Sequence, residues 1–133
     1  MTGNLTQAFY EICRLFPIAS GSTEKESLVA PVIENLSSNE DYSSSRALSH
    51  ALTIRADARL DIFPPNVDGA LEDSRRATAM DPLNGRAWRV LADAEEAAGN
   101  IKSAIEATLR WGEADPPFAT KAKNEVDRLS RKA

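Results

Sequence analysis

Shifted by 34 positions, the chain overlays itself: Ala70-Leu-Glu-Asp-Ser-Arg-Arg-Ala-Thr-Ala-Met-Asp-Pro-Leu83 falls on Ala104-Ile-Glu-Ala-Thr-Leu-Arg-Trp-Gly-Glu-Ala-Asp-Pro-Pro117. Ala70/Ala104, Glu72/Glu106, Arg76/Arg110, Asp81/Asp115 and Pro82/Pro116 are identical, five of 14 pairs where chance supplies about one. A unit of this length cannot bury its own apolar face, so it folds only by stacking on its neighbours. The whole chain has 133 residues, one domain's worth, which leaves no room for separate cofactor and substrate modules.

Apolar spacing names the elements. Leu5, Ala8, Phe9, Ile12, Leu15 and Phe16 recur at helical steps and predict a helix over 4–16, closed by Pro17. Thr23 and Glu26 have capping-box spacing and open a second helix over 23–36, in which Pro31 predicts a kink or break. Ser37 to Ser45 reads as a polar loop, simple or phosphorylated. A long third helix runs from Arg46 to Phe63, where Pro64-Pro65 stops it. Asn66 or Asp68 caps a fourth through Met80, and Asn84 caps a fifth through Ala98. Gly99-Asn100 turns the chain into a sixth, Ile101 to Ala114. A seventh, 118–131, keeps Ala119, Ala122, Val126 and Leu129 on one side. No segment alternates with a strand's period of two, so the fold class is all-α.

Residues 85–118 resemble a tetratricopeptide repeat. Trp88, Leu91 and Ala92 match its W-x2-L-G opening with alanine for glycine, and Ala104 and Pro116 match the later small residue and terminal proline. Glu95 and Thr108 stand where aromatics are expected, and Trp111 where another small residue is expected. The preceding repeat is looser: Ala70, Ala77 and Pro82 fit its second helix, and Pro64-Pro65 lengthens its inner turn by about two residues. Its first helix then falls near Ala51 to Asp61, with Leu52 and Ala56 at the bulky and close-contact places. Residues 118–131 resemble the solvating helix that follows a last repeat. The resemblance implies a short right-handed α-solenoid of antiparallel helix pairs over 46–133. Residues 1–45 are then an N-terminal cap or degenerate repeat ending in the serine-rich loop. It also gives the 21 alanines a purpose, since small residues at helix crossings let neighbours approach closely.

Charge and side-chain chemistry narrow the function classes. Sixteen basic against 20 acidic residues give a net charge of −4, which argues against a nucleic-acid partner held by phosphate neutralisation. Cys13 and His50 are the single cysteine and histidine, so no intrachain disulfide or Cys/His zinc cage forms, and a cytoplasmic location is the default. No run approaches the roughly 18 apolar residues of a spanning helix, so membrane insertion is not expected. His50 has no evident catalytic companion, and neither glycine-containing turn carries a phosphate-cradling motif. The expectation is a chain that is not an enzyme and carries no cofactor or metal.

In repeats of this kind the first helices line a concave groove. Arg86, Arg89, Asp93 and Glu96 form one helical stripe there, extended by Thr53 and Asp57 before it and by Lys123 and Asp127 after it. The stripe reads either as a peptide-binding groove or as a solvated face with Arg89–Asp93 pairing. Its Thr53, Asp57 and Val90 depart from the lysine and asparagine set that clamps chaperone C-termini, so a different ligand is implied. Phe9, Ile12 and Phe16 supply a second, apolar docking stripe. The resulting expectation is a non-catalytic protein-interaction module: an adaptor, assembly factor or co-chaperone-like protein binding another protein or peptide. The alternative is a structural subunit or homo-oligomer packing through its N-terminal helices.

Overall fold

A computed structural model describes residues 22–37 and 42–132. The helix expected over 4–16, with Phe9, Ile12 and Phe16, lies outside the described residues. Six α-helices follow in order: α1 (Ser22–Ser37), α2 (Tyr42–Asp61), α3 (Val67–Met80), α4 (Gly85–Ala97), α5 (Ile101–Ala114) and α6 (Ala119–Ser130), the last preceded by a 3-10 turn at Pro116–Phe118. Among the described residues there is no strand. Each helix packs on the next, and α2 also meets α4.

The sequence period reappears in the helix boundaries. α3 and α5 both run 14 residues and begin at Val67 and Ile101, 34 positions apart; α4 and α6 begin at Gly85 and Ala119, again 34 apart. Asp81 and Asp115 end α3 and α5 in one way, each extended backbone N–H donating to the carbonyl four residues back, at 3.0 Å on Ala77 and 2.9 Å on Trp111. Proline follows each and cannot continue the helix. Ser74 and Thr108, not identical but equivalent, are buried and donate their hydroxyls to Ala70 and Ala104 at 2.7 Å. A β-branched or short hydroxyl residue satisfied within its own helix sits in a core without needing a distant partner. The α2–α3 connection spans 62–66 and the α4–α5 connection 98–100, so the first hairpin carries the two extra residues that Pro64-Pro65 suggested. In the shorter turn Gly99 takes φ +85°, which a residue with a Cβ rarely adopts.

Alanine dominates the interior. Eleven of the 21 buried apolar side chains among the described residues are alanines, including Ala56, Ala70, Ala77, Ala92 and Ala104 at the expected close-contact places. Val29 and Ile33 of α1 pack with Leu48, Leu52, Ala77 and Ala87, and a second cluster gathers Ala56, Ala70, Val90, Leu91 and Ala107. Small residues at these crossings let the backbones approach, and the core gains its density from proximity rather than bulk.

Three expectations are corrected. α1 is continuous through Pro31; Pro31 and Ser27 both lie on its exposed side, so the carbonyl deprived of its donor faces water. The serine run is not a loop throughout, because Tyr42 to Ser45 form the first turn of α2, where hydroxyl residues are at home. Consequently residue 46 lies inside α2, and that helix stops at Asp61 instead of Phe63.

Asn84 ties the hairpins together. Its Oδ1 accepts from the Ala87 N–H at 3.2 Å, while its Nδ2 donates to the Ser49 and Thr53 hydroxyls at 3.1 and 3.4 Å across the α2–α4 contact. Replacement by alanine loses a helix cap and the amide's hydrogen bonds to two buried hydroxyls, an expected cost of about 2 kcal/mol in chemical denaturation. Asn84→Ser, which keeps the cap, is expected to lose less.

Candidate functional site

The stripe on α4 is where spacing placed it. Arg86, Arg89 and Asp93 are exposed and Glu96 is partly exposed, while Ala87, Val90, Leu91 and Ala94 of the same helix are buried. Arg86 reaches Asp57 of α2 at 3.6 Å, both about half exposed. Arg89 lies over the Trp111 ring, 5.8 Å from its centroid, and Trp111 stacks on Phe118 at 5.7 Å. Glu96 is gripped from α6 and the turn after it: Arg128 makes two 2.8 Å hydrogen bonds to its carboxylate and Lys132 a third at 2.7 Å. Arg128 also binds Glu125 at 2.8 Å.

Three of the expected groove residues fall elsewhere. Thr53 is fully buried, donating to the Ser49 carbonyl at 2.8 Å, and offers nothing to a partner. Lys123 and Asp127 are exposed on α6, five and one positions from Arg128, and helical rotation sets both well away from the side that Arg128 presents to Glu96. The rotation of α6 decides this. Ala122 and Leu129 are buried, and Ala122 packs so close to Gly112 that an added Cβ there would sit 3.1 Å from its own. That orientation brings Glu125, Arg128 and Lys132 to the face. Their three- and four-residue spacing was a visible signal, but only the α5–α6 contact assigns it a side.

The resulting face crosses α2, α4 and α6 and is neutral, with Asp57, Asp93, Glu96 and Glu125 against Arg86, Arg89, Arg128 and Lys132. Although Asp93 is exposed, partial desolvation by its neighbours pushes its carboxyl up; Arg89 opposes this, and Asp57, Glu96 and Glu125 add to it. Burial also pushes His50 down, helped by the nearby Arg86. Hydrogen bonds from Arg128 and Lys132 hold Glu96 down to about 2. A depressed carboxylate contributes stability above its unfolded value, about 4.3, and that contribution disappears as pH falls toward about 2. The thermal midpoint of wild type is therefore expected to exceed that of Glu96→Gln at neutral pH. The gap should close between those limits, remaining small throughout because each partly exposed pair contributes under about 1 kcal/mol.

Beneath the face lie polar groups that sequence reading missed. Asp73 of α3, its side chain 4% exposed, accepts two 2.8 Å hydrogen bonds from Arg55 and one of 3.0 Å from Arg59; Arg59 in turn binds Glu26 of α1 at 2.9 Å. Glu95, at the place where an aromatic was expected, is buried and held by Arg75 at 2.8 Å and by Asn100 Nδ2 at 2.8 Å. The ionic partners lie 14 to 33 positions apart, which leaves no local pattern to read. No group of three or more His, Cys, Asp and Glu among the described residues is spaced to hold a metal ion, and no helix among them is long and apolar enough to cross a membrane. Comparison with models of known protein families and with curated proteins finds no match for the chain.

Proposed function

We propose that the chain is a non-catalytic interaction module of the tetratricopeptide type, a short right-handed solenoid acting as an adaptor or assembly factor. The observation that carries the reading is the 34-residue offset of both second helices and of the last two first helices, with matching caps at Asp81 and Asp115. Departures from the motif have local compensation: Glu95 is neutralised by Arg75, and Thr108 is satisfied by Ala104. In such a stack the first helices present a shared face, here α2, α4 and α6 with Asp57, Arg86, Arg89, Asp93 and Glu96. A face whose charges are already paired selects a partner that brings charges of both signs in matching order, since unmatched desolvation is costly.

The test is a cross-linking pull-down with the full chain and with Arg86→Glu/Arg89→Glu. These side chains are exposed, so the variant is expected to keep its fold by circular dichroism and to lose the specifically captured protein. Capture that is unchanged by the double reversal, or turnover of a substrate by the purified chain, overturns the proposal.

A further inference from the structure

Two packing demands meet at one labile dipeptide. Asn84-Gly85 is the single Asn-Gly step in the chain; the other six asparagines precede Leu, Glu, Val or Ile, whose side chains hinder attack on the amide. The fold calls for both members. Position 84 needs a carboxamide, because one side chain accepts the Ala87 N–H at 3.2 Å and donates to the Ser49 and Thr53 hydroxyls at 3.1 and 3.4 Å. Those hydroxyls are themselves donors, to the Ala77 carbonyl at 2.7 Å and the Ser49 carbonyl at 2.8 Å, so what they accept must be an N–H. Position 85 needs glycine, because a Cβ there would sit 2.8 Å from Asp115 Oδ2 and 3.0 Å from Asp115 Cβ.

Such a step reacts with itself. The Gly85 backbone nitrogen, losing its proton, bonds to Asn84 Cγ; the Cγ–Nδ2 bond breaks and ammonia leaves, forming a succinimide ring. Water then opens the ring at either carbonyl, giving aspartate or isoaspartate. In the closed structure this path is blocked. Ring closure turns the Asn84 Cα–C bond until Cβ and the Gly85 nitrogen eclipse, far from the observed ψ of 90°. It also pulls the amide from Ala87, Ser49 and Thr53, and Gly85 is buried away from the water that completes the reaction. Gly85 is nevertheless the first residue of α4, where its N–H stands outside the intrahelical ladder, so fraying of one turn is enough to free it.

We propose that Asn84-Gly85 is a modification site with water as co-reactant and the α2–α4 contact as its gate: opening of the junction exposes the step to deamidation, and the product does not close as before. Aspartate still caps Ala87 but brings lone pairs where Ser49 and Thr53 need a donor. Isoaspartate carries the main chain through its Cβ, one atom longer, and takes the cap out of register with α4. In both products the next residue, Arg86, is shifted from Asp57, which it reaches at 3.6 Å in the closed structure. The chain thus keeps a one-way record of how often this junction has opened, whatever its charged face binds.

The test ages the purified full chain in mildly alkaline buffer, folded and in unfolding urea, and follows the tryptic peptide 77–86 by mass spectrometry with chromatographic separation of isoaspartate. Conversion at Asn84 is expected to be at least about tenfold slower in the folded chain. Thr53→Val and Ser49→Ala, each removing one acceptor of the amide, are expected to speed it about threefold or more while the chain stays folded by circular dichroism. If either melts, wild type in sub-denaturing urea replaces it, and the rate should rise before the global transition. The aged acidic isoform, isolated by ion exchange, should melt at lower temperature and exchange its amides faster at the start of α4. Asn84→Ser aged alongside, a control for the other asparagines, should keep its midpoint. Equal rates in the folded and unfolded chain, a rate that neither the variants nor sub-denaturing urea raises, an isoform as stable as fresh protein, or an equal loss in aged Asn84→Ser overturns the proposal.

Discussion

Asp73→Ala is expected to lower the unfolding free energy by about 3 kcal/mol, because it strands two arginines that are mostly out of water. Arg55 and Arg59 have side chains 18% and 20% exposed, and Asp73 is the anion between them. A guanidinium is too basic to escape by losing its proton, so Arg55 stays charged in the variant. Its charge must instead find water by loosening α2 from α3. Glu26 remains to pair with Arg59, which leaves Arg55 as the main casualty.

The same physics predicts the rescue. Removing the Arg55–Asp73 pair together, as Arg55→Met/Asp73→Leu, takes away the desolvation cost along with the attraction, so the double variant is expected to be more stable than Asp73→Ala. Urea denaturation with an unchanged slope measures both. A loss below about 1 kcal/mol for Asp73→Ala would mean that the network is solvated in solution and contributes little.

What was legible in the sequence was local or periodic. Asn66 caps α3 by accepting the Gly69 N–H at 3.0 Å, Gly99-Asn100 turns α4 into α5, and the paired Asp-Pro stops sit where the 34-residue shift puts them. These signals lie within one turn of the feature they specify, so a single chain suffices to read them. Residues whose role is set by a distant helix were not legible. Thr53 and Asp57 are four positions apart and suit one stripe equally well, yet the Asn84 amide holds Thr53 inside while Asp57 stays outside facing Arg86. Lys123 and Arg128 are equally cationic, and only the contact of Ala122 with Gly112 selects the second for Glu96. Along the α4 stripe, by contrast, apolar and charged residues separate cleanly by helical period, and exposure follows the pattern.

Trp111→Ala is expected to cost about 4 kcal/mol, the range for emptying a buried aromatic site. The repeat pattern alone points the other way, since a small residue is usual at this place and Ala77, 34 positions earlier, is fully buried there. The two second helices differ in how the next helix meets them. In α3 the small residue is Ala77 itself, whose carbonyl accepts the Ser49 hydroxyl at 2.7 Å. In α5 the close approach has moved one residue on, to Gly112 against Ala122. Trp111, 4% exposed, then fills the space beside that contact, stacked on Phe118 and covered by Arg89. Alanine would leave that space empty, because Gly112 and Ala122 are already in tight contact and α6 has little room to close over it. Hydrogen exchange should therefore rise through α6 and the 3-10 turn before it rises in α2 and α3. Trp111→Phe, which keeps a ring for Phe118 and Arg89, should lose much less. A neutral Trp111→Ala would show instead that α6 closes over the vacated space.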